Sequence, residues 1–242
     1  MISIVVPALN EEKYLPECLN SLKNQDWKGD REIIVVDNGS TDNTARIASS
    51  FGAKVVSCPK RGVAYARQAG AEQAKGEIIV QVDADTTYTA DWLSRIAAHF
   101  ANSPGTAAVA GRYTYSDPAS WAPVERFFRK YVLNGAGVFF FRRPLSISGA
   151  NFAFRRDAFV RANGYDPASL YPDQWGIARR LSRFGRIRYD DASVAITSAR
   201  RVAKPVYILA YEVVRNCWRV GVHFIRHCVG LIRKPSRRPE TP

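Results

Sequence analysis

The fold class of this chain can be inferred from residues 78–85, which read Ile-Ile-Val-Gln-Val-Asp-Ala-Asp. The first five of these residues are almost continuously apolar and β-branched, which is typical of a strand buried on both faces of a parallel sheet. Three earlier runs have the same character: Ile2–Val6, Glu32–Val36 and Lys54–Ser57. Because helix patterns separate the four runs, we predict an open, mostly parallel α/β sheet with helices on both faces.

The second half of the chain has a less regular pattern. Apolar periodicity predicts helices at Trp92–Phe100 and Trp175–Phe184, and strands at Thr106–Gly111, Ser146–Phe154, Arg186–Tyr189 and Ala192–Thr197. After Lys204-Pro205 the pattern changes to one long amphipathic helix. A chain of 242 residues suits one sizeable core with an appendage. We therefore predict one domain at 1–203, an amphipathic helix at 204–233 and a disordered tail at 234–242.

The charge of the chain points to an anionic partner. The formal net charge is +13 and the calculated pI is about 9.9. Such a surface suits nucleic acid, an anionic membrane or a phosphate-rich substrate, and charge alone does not choose among them. The four cysteines form no C-x-x-C pair, which favours reduced thiols in the cytoplasm. The sequence also predicts neither a signal peptide nor a bilayer-spanning segment.

The segment 204–233 carries a basic stripe. Its cationic residues recur at spacings of three, four and seven, which places them on one helical face: Arg215, Arg219, His223, Arg226 and Arg233. Trp218 and Phe224 lie among the apolar residues of the remaining surface. The pattern favours a helix in the interface of an anionic membrane, so we expect a cytoplasmic protein that is peripheral on the inner face of the cell membrane. A helix packed on the domain, with its arginines in solvent, is the alternative.

Carboxylates follow two of the predicted strands. Asp37 comes directly after the strand that ends at Val36, and Asp83 and Asp85 come after the strand that ends at Val82. In an open parallel sheet, ligands bind beyond the carboxyl ends of the strands. Asp37 could equally serve a turn. Two carboxylates two residues apart, however, repel one another unless a cation lies near them. The pair therefore predicts a divalent cation, Mg²⁺ or Mn²⁺, whose shell is completed by phosphate oxygens.

At this point the sequence resembles the family 2 glycosyltransferases, which have the GT-A fold. The motifs that carry the resemblance are Pro7-Ala8-Leu9-Asn10-Glu11-Glu12, Val36-Asp37-Asn38-Gly39-Ser40-Thr41-Asp42 and Val82-Asp83-Ala84-Asp85. Three further matches are Arg67 within residues 62–70, the stretch 148–156 and Gly164-Tyr165-Asp166. Each motif alone is weak, but their order and spacing over residues 1–200 are specific. The resemblance implies a nucleotide-sugar-binding half at 1–111 and an acceptor half at 112–203.

The resemblance implies roles on the donor side. The residues that would hold the nucleobase and ribose are Pro7, Ala8, Asn10, Glu11, Asp37, Gly39 and Arg67. Asp83 would contact the ribose or the metal, and Asp85 would coordinate Mg²⁺ or Mn²⁺ on the diphosphate. The implied reaction is transfer of a sugar, with inversion, from a nucleoside-diphosphate sugar to a sugar or lipid-linked acceptor.

The acceptor side departs from the pattern of the family. Many members have Glu-Asp a few residues before an Arg-Leu pair, and the Asp serves as the base. Here Asp173-Gln174 precedes Arg180-Leu181, so Gln174 falls at the expected base. Because Gln cannot accept a proton at neutral pH, Asp173 is the candidate base, and its alternative role is a helix N-cap. A phosphate acceptor would need no base. The other predicted acceptor-side residues are Gly149, Asn151 and Trp175.

Two other functions remain as alternatives. A nucleotidyltransferase uses a similar sheet and carboxylates but usually needs a Gly-rich basic loop, and residues 7–12 do not form one. A basic nucleic-acid-binding protein would interleave aromatic and basic residues. One stretch does interleave aromatic with basic residues: Arg126, Phe127, Phe128, Arg129, Lys130 and Tyr131. We nevertheless expect no nucleic-acid partner.

Overall fold

The computed structural model describes residues 1–116, 147–167 and 173–198, together with positions 127, 131, 134, 144 and 200. Strands and helices alternate through the first part of the chain, as the sequence predicts. The elements there are β1 (Ile2–Ala8), α1 (Leu15–Lys23), β2 (Arg31–Asp37), α2 (Thr44–Ser50), β3 (Lys54–Ser57), α3 (Val63–Gln73), β4 (Ile78–Gln81), β5 (Thr86–Tyr88), α4 (Trp92–Ala101) and β6 (Thr106–Tyr115). The later elements are β7 (Phe152–Arg155), α5 (Arg156–Arg161), α6 (Asp173–Leu181) and β8 (Arg186–Thr197).

All eight described strands lie in one sheet, in the order β3-β2-β1-β4-β7-β6-β8-β5. The pairs β1–β2, β1–β4, β2–β3 and β6–β8 are parallel. The pairs β4–β7, β6–β7 and β5–β8 are antiparallel. The predicted mostly parallel sheet is therefore confirmed for the first four strands, and the antiparallel β7 joins them to β6.

Helices cover both faces of the sheet, which confirms the predicted layering. One core contains apolar residues of α1, α2 and α4, with Leu15, Leu19 and Trp92 fully buried. The other contains residues of α3, α5 and α6, including Ala66 and Leu181. Because β1, β2 and β4 are buried on both faces, their carboxyl ends are held rigidly between the two layers.

Several boundaries differ from the sequence prediction. The strand predicted at Ser146–Phe154 begins only at Phe152, because residues 149–151 form a turn. The two short strands predicted at 186–189 and 192–197 are one strand, β8, whose register with β6 shifts at Gly111 and Arg112. β5 and α5 were not predicted, since each is too short to give a clear period.

Residues 1–199 form one compact unit, and the domain predicted at 1–203 stays a prediction. The predicted helix at 204–233 and the tail at 234–242 lie outside the described residues, as do most of residues 117–146. Among the described residues, no helix is long and apolar enough to cross a membrane.

Candidate active site

The loops after β1 and β2 are tied to each other. β1 and β2 pair in parallel so that Ala8 lies opposite Asp37, which brings both loops to the same edge of the sheet. Asn10 adopts a φ of 55°, a conformation that Asn tolerates better than most residues. Its Oδ1 accepts a hydrogen bond from the backbone N–H of Thr41 at 2.8 Å, and its own N–H donates to Ser40 Oγ at 3.0 Å. Asn10 therefore links two loops and does not cap α1, which begins at Leu15.

Asp42 makes a second set of contacts between the same loops. Its carboxylate accepts hydrogen bonds from the N–H and hydroxyl of Thr44, at 3.0 and 2.5 Å, and from the N–H of Glu12 at 3.1 Å. Thr44 Oγ1 in turn accepts from the N–H of Glu11 at 2.8 Å. Partial burial alone would raise the pKa of Asp42, but the hydrogen bonds from Thr44 and Glu12 outweigh it and lower the pKa. The loop that contains Glu11 is thus fixed by a charged group.

The predicted donor residues of these two loops differ in exposure. Ala8 and Glu11 are buried, Pro7 is half-buried and Asn10 is exposed. Asp37 accepts a hydrogen bond from the N–H of Ser40 at 2.9 Å, so one of its carboxylate oxygens serves the turn that follows β2.

Asn38 is a site residue to which the sequence analysis assigned no role. Its Nδ2 donates to the carbonyl oxygens of Cys58 and Lys60, both at 2.8 Å, and its Oδ1 accepts from the N–H of Gly62 at 2.8 Å. The buried amide therefore fixes the connection between β3 and α3 to the end of β2. Its place inside the motif at residues 36–42 was the only signal for it in the sequence. Gly39, with φ of 85°, completes this turn.

Arg67 joins Asp83, a predicted donor residue, to Asp173, the candidate base. It lies on α3, is only 4% exposed, and its Nη2 donates to Asp83 Oδ1 at 2.7 Å. Its Nη1 donates to Asp173 Oδ2, in the first turn of α6. Burial alone would lower the pKa of the guanidinium, but the carboxylates of Asp83 and Asp173 outweigh it and raise the pKa. The side chain therefore remains charged and holds two carboxylates that are 90 residues apart in sequence.

Gly149 leaves room for this arrangement. A Cβ on Gly149 would lie 2.0 Å from Arg67 Nη2 and 2.2 Å from Gln174 Nε2, far inside any normal contact distance. Gln174 is buried and donates from Nε2 to Asp173 Oδ2 at 2.9 Å. Gly149, a predicted acceptor-side residue, thus lies against the ion-paired Arg67. Gln174, which occupies the position expected for the base, lies beside the same ion pair.

The two carboxylates after β4 lie in a tight turn. The N–H of Thr86 donates to the carbonyl oxygen of Asp83 at 3.2 Å, and Cys18 Sγ contacts the same oxygen at 3.5 Å. Burial raises the pKa of the Cys18 thiol far above its usual range, so the thiol stays protonated and can donate. The carbonyl oxygen of Asp85 accepts from the N–H of Ser198, just after β8. The backbone of both halves of the chain therefore fixes this turn.

Asn151 and Trp175, two predicted acceptor-side residues, differ in burial. Asn151 is fully buried, and its Oδ1 accepts from Trp92 Nε1 at 2.9 Å. Its Nδ2 donates to the carbonyl oxygens of Arg112 and Ser193, at 2.8 and 2.9 Å. Trp175 is half-buried against the core that α3 and α6 share. The predicted roles of both residues on the acceptor side stay predictions.

The described residues fit a divalent cation that arrives with a phosphate ligand. They contain no group of three or more His, Cys, Asp or Glu side chains that could hold a metal ion alone. Asp83 and Asp85 offer hard oxygen ligands at one strand end, and the Asp83 side chain is 22% exposed. A cation bound with a nucleotide needs only one or two protein carboxylates, because phosphate oxygens complete its shell.

The chain has a mixed α/β sheet with helices on both faces, and carboxylates lie beyond the end of β4. This is the architecture of the GT-A glycosyltransferases. Residues 3–161 match the model of the family described as Glycosyl transferase family 2. The chain belongs to this family, which confirms the resemblance seen in the sequence motifs.

Curated relatives agree with this assignment. Over 178 residues the chain is 30% identical to a glucosyl-dolichyl phosphate glucuronosyltransferase of Haloferax volcanii, an alignment that covers 68% of this chain and 56% of that protein. The chain thus spans about half the length of the curated relatives it matches.

Solved structures agree on the fold. The mannosyltransferase PcManGT from Pyrobaculum calidifontis, in complex with GDP-Man and Mn²⁺, superposes with a TM-score of 0.72 and 21% identity. The superposition covers 98% of this chain and 66% of that one. Glucosyl-3-phosphoglycerate synthase from Mycobacterium tuberculosis, solved with Mn²⁺ and UDP, gives a TM-score of 0.63 at 22% identity over 91% of this chain and 78% of that one.

Proposed function

We propose that this chain is an inverting glycosyltransferase that moves a sugar from a nucleoside-diphosphate sugar to an acceptor hydroxyl or a lipid phosphate. The observation that carries the proposal is the convergence of Asp83, Arg67 and Asp173 at the edge where the parallel strands end. Family membership supports glycosyl transfer and gives no support to nucleotidyl transfer or to nucleic-acid binding.

The donor would lie across the ends of β1, β2 and β4. The loop at Pro7–Glu11, Asp37 and Gly39 would border the nucleobase and ribose. Hydrogen bonds of Asn10, Asn38 and Asp42 hold both loops in place before a ligand arrives. This preorganisation supports a nucleotide-binding role for the loops. Arg67 was predicted to contact the nucleotide. Because it is buried between two carboxylates, we propose that it acts on the donor through Asp83.

Asp85 and Asp83 would hold Mg²⁺ or Mn²⁺ together with the donor diphosphate. When bound, the cation would neutralise the charge that builds on the departing nucleoside diphosphate. The Mn²⁺ ions in two structural neighbours support this choice of cofactor. The hydrogen bonds that Thr86, Cys18 and Ser198 donate to the carbonyl oxygens of Asp83 and Asp85 would hold the two carboxylates at that position.

Asp173 would accept the proton of an acceptor hydroxyl. Its Oδ2 already receives hydrogen bonds from Arg67 and Gln174, so the proton would go to Oδ1. Gln174 cannot take over this role, because an amide is not a base at neutral pH. A lipid phosphate acceptor is already ionised and would need no base. Gly149, Asn151 and Trp175 would shape the acceptor side by supporting Asp173 and the turn before β7.

The segment 204–233 would bind an anionic membrane surface, which would place the protein at the cytoplasmic face and close to lipid-linked acceptors. Its regularly spaced arginines in the sequence support this proposal.

A thermal-shift screen tests the proposed donor site. UDP, GDP, dTDP and CDP would each be added with and without Mn²⁺, because a ligand that binds only the folded state raises the melting temperature. We expect one nucleotide to raise it in an Mn²⁺-dependent way. A melting temperature that none of the four changes, with or without Mn²⁺, would count against the proposal.

A further inference from the structure

Arg67 connects two carboxylates that belong to different halves of the site. Asp83 follows β4 on the donor side, and Asp173 opens α6 on the acceptor side. The Arg67 side chain is 5% exposed, against 22% for Asp83 and 13% for Asp173. Because the three groups are largely removed from water, their charges act on one another more strongly than exposed ion pairs do.

The charge balance of this cluster depends on Asp173. One guanidinium faces two carboxylates, so the three side chains carry a net charge of −1. If Asp173 lost its charge, Arg67 would be left to neutralise Asp83 alone. A divalent cation approaching Asp83 and Asp85 would then have one negative charge fewer nearby, and its binding would weaken.

We propose that Asp173 is a positioning residue for the donor site and acts through Arg67: by sharing the guanidinium, it keeps Asp83 able to receive a divalent cation with its diphosphate. This inference rests on the proposed function, because it takes Asp83 to be part of the donor site. The effect is separate from proton abstraction, since donor binding can be measured with no acceptor present.

The geometry explains why arginine is needed for this coupling. The planar guanidinium presents Nη1 to Asp173 and Nη2 to Asp83, two contacts that the single ammonium of lysine cannot make in the same way. Gln174 Nε2 also donates to Asp173 Oδ2, and Gly149 leaves the space that both groups occupy. A lysine at position 67 should keep the charge and lose the bridge.

Calorimetry with Mn²⁺ and a nucleoside diphosphate tests the coupling. The full-length chain would be titrated with MnCl₂ at saturating UDP, GDP, dTDP or CDP, whichever the wild-type protein binds. We expect Asp173→Asn to weaken Mn²⁺ binding by about tenfold, and Asp173→Glu, which keeps the charge, to stay within about threefold. Asp157→Asn removes the same charge from an exposed pair with Arg161 and should change nothing. In an Arg67→Lys background, Asp173→Asn should have less than about a twofold effect.

The outcomes separate the two proposals. If the wild-type chain binds Mn²⁺ and nucleotide but Asp173→Asn binds them equally well at an unchanged melting temperature, the coupling is wrong and the donor site stands. If the tenfold loss persists in the Arg67→Lys background, Asp173 acts on the site without Arg67, which also overturns the inference. If the wild-type chain binds none of the four nucleotides, the proposed function and the coupling fail together. Should Arg67→Lys fail to fold, an Asp173→Asn protein that binds Mn²⁺ as tightly as Asp173→Glu would still overturn the inference.

Discussion

Trp92 Nε1 donates a hydrogen bond to Asn151 Oδ1 across 2.9 Å, and both side chains are fully buried. The same Asn151 amide donates to backbone carbonyls of Arg112, on β6, and Ser193, on β8. We expect Asn151→Leu to lower the free energy of unfolding by about 3 kcal/mol or more, because three polar groups, two of them in buried hydrogen bonds, lose their partner at once. Urea unfolding followed by fluorescence measures this change.

Trp92→Phe is the matched control for that substitution. It removes one donor and leaves the two Nδ2 hydrogen bonds in place, so it should cost less than Asn151→Leu. If Asn151→Leu unfolds at the same urea concentration as the wild-type protein, the hydrogen bonds of Asn151 do not add the stability that this prediction assigns to them.

Gly149→Ala should disturb the site by crowding Arg67. The added Cβ would lie 2.0 Å from Arg67 Nη2, so the guanidinium would have to leave either Asp83 or Asp173. We expect Mn²⁺-dependent nucleotide binding to fall by about tenfold or more, read by calorimetry. Gly105→Ala is the control, because a Cβ there meets no atom within 4 Å. Equal binding by both variants would show that the close approach at Gly149 is dispensable.

The lowered pKa of Asp42 predicts that the loops after β1 and β2 lose stability at acid pH. Its pKa is lowered in the folded protein by Thr44 and Glu12, so its contribution to stability is present above the unfolded value near 3.8 and is lost as the pH falls through the folded value. Asp42→Asn should therefore lower the free energy of unfolding by about 1 kcal/mol at pH 6, and by less near pH 3. Asp30→Asn, an exposed aspartate outside these loops, is the control. A loss of stability that is the same at both pH values would contradict this account.

The parallel part of the sheet, β1 to β4, was largely predictable from the sequence, because its signals are local. A strand buried on both faces shows as an apolar run, and a carboxylate directly after it must lie at the ligand-binding edge of a parallel sheet. Asp37, Asp83 and Asp85 were placed correctly at strand ends on this basis. The order of the motifs then gave the family, which the match over residues 3–161 confirms.

The long-range contacts of the site were not predictable from the sequence. Nothing near Arg67 in the sequence indicates that it would reach Asp173, because that contact depends on how α3 and α6 pack on the same core. Asn151 was expected at the acceptor, and its burial follows from a turn and three partners on distant elements. The predicted roles of Asp173, Gly149, Asn151 and Trp175 remain proposals.

The C-terminal segment gives a separate prediction. Removing the residues after Lys204 should release the protein from anionic vesicles and leave nucleotide binding intact, since the predicted donor residues all precede residue 90. Each basic residue near an anionic surface adds about 1 kcal/mol of attraction, so binding by the full chain should weaken as salt rises. Co-sedimentation with vesicles at low and high salt, paired with a melting curve, measures both effects. A truncated chain that still binds vesicles, or that no longer folds, would contradict the membrane role.

The most direct measurement of the central claim is calorimetry of the wild-type chain and Asp85→Asn with a nucleoside diphosphate, with and without Mn²⁺. The proposed donor site predicts that the wild-type protein binds the nucleotide far more tightly with Mn²⁺, and that Asp85→Asn loses this metal-dependent gain while keeping its melting temperature. Metal-dependent affinity that is unchanged in a folded Asp85→Asn protein would contradict the assignment of the carboxylates after β4 to the donor site.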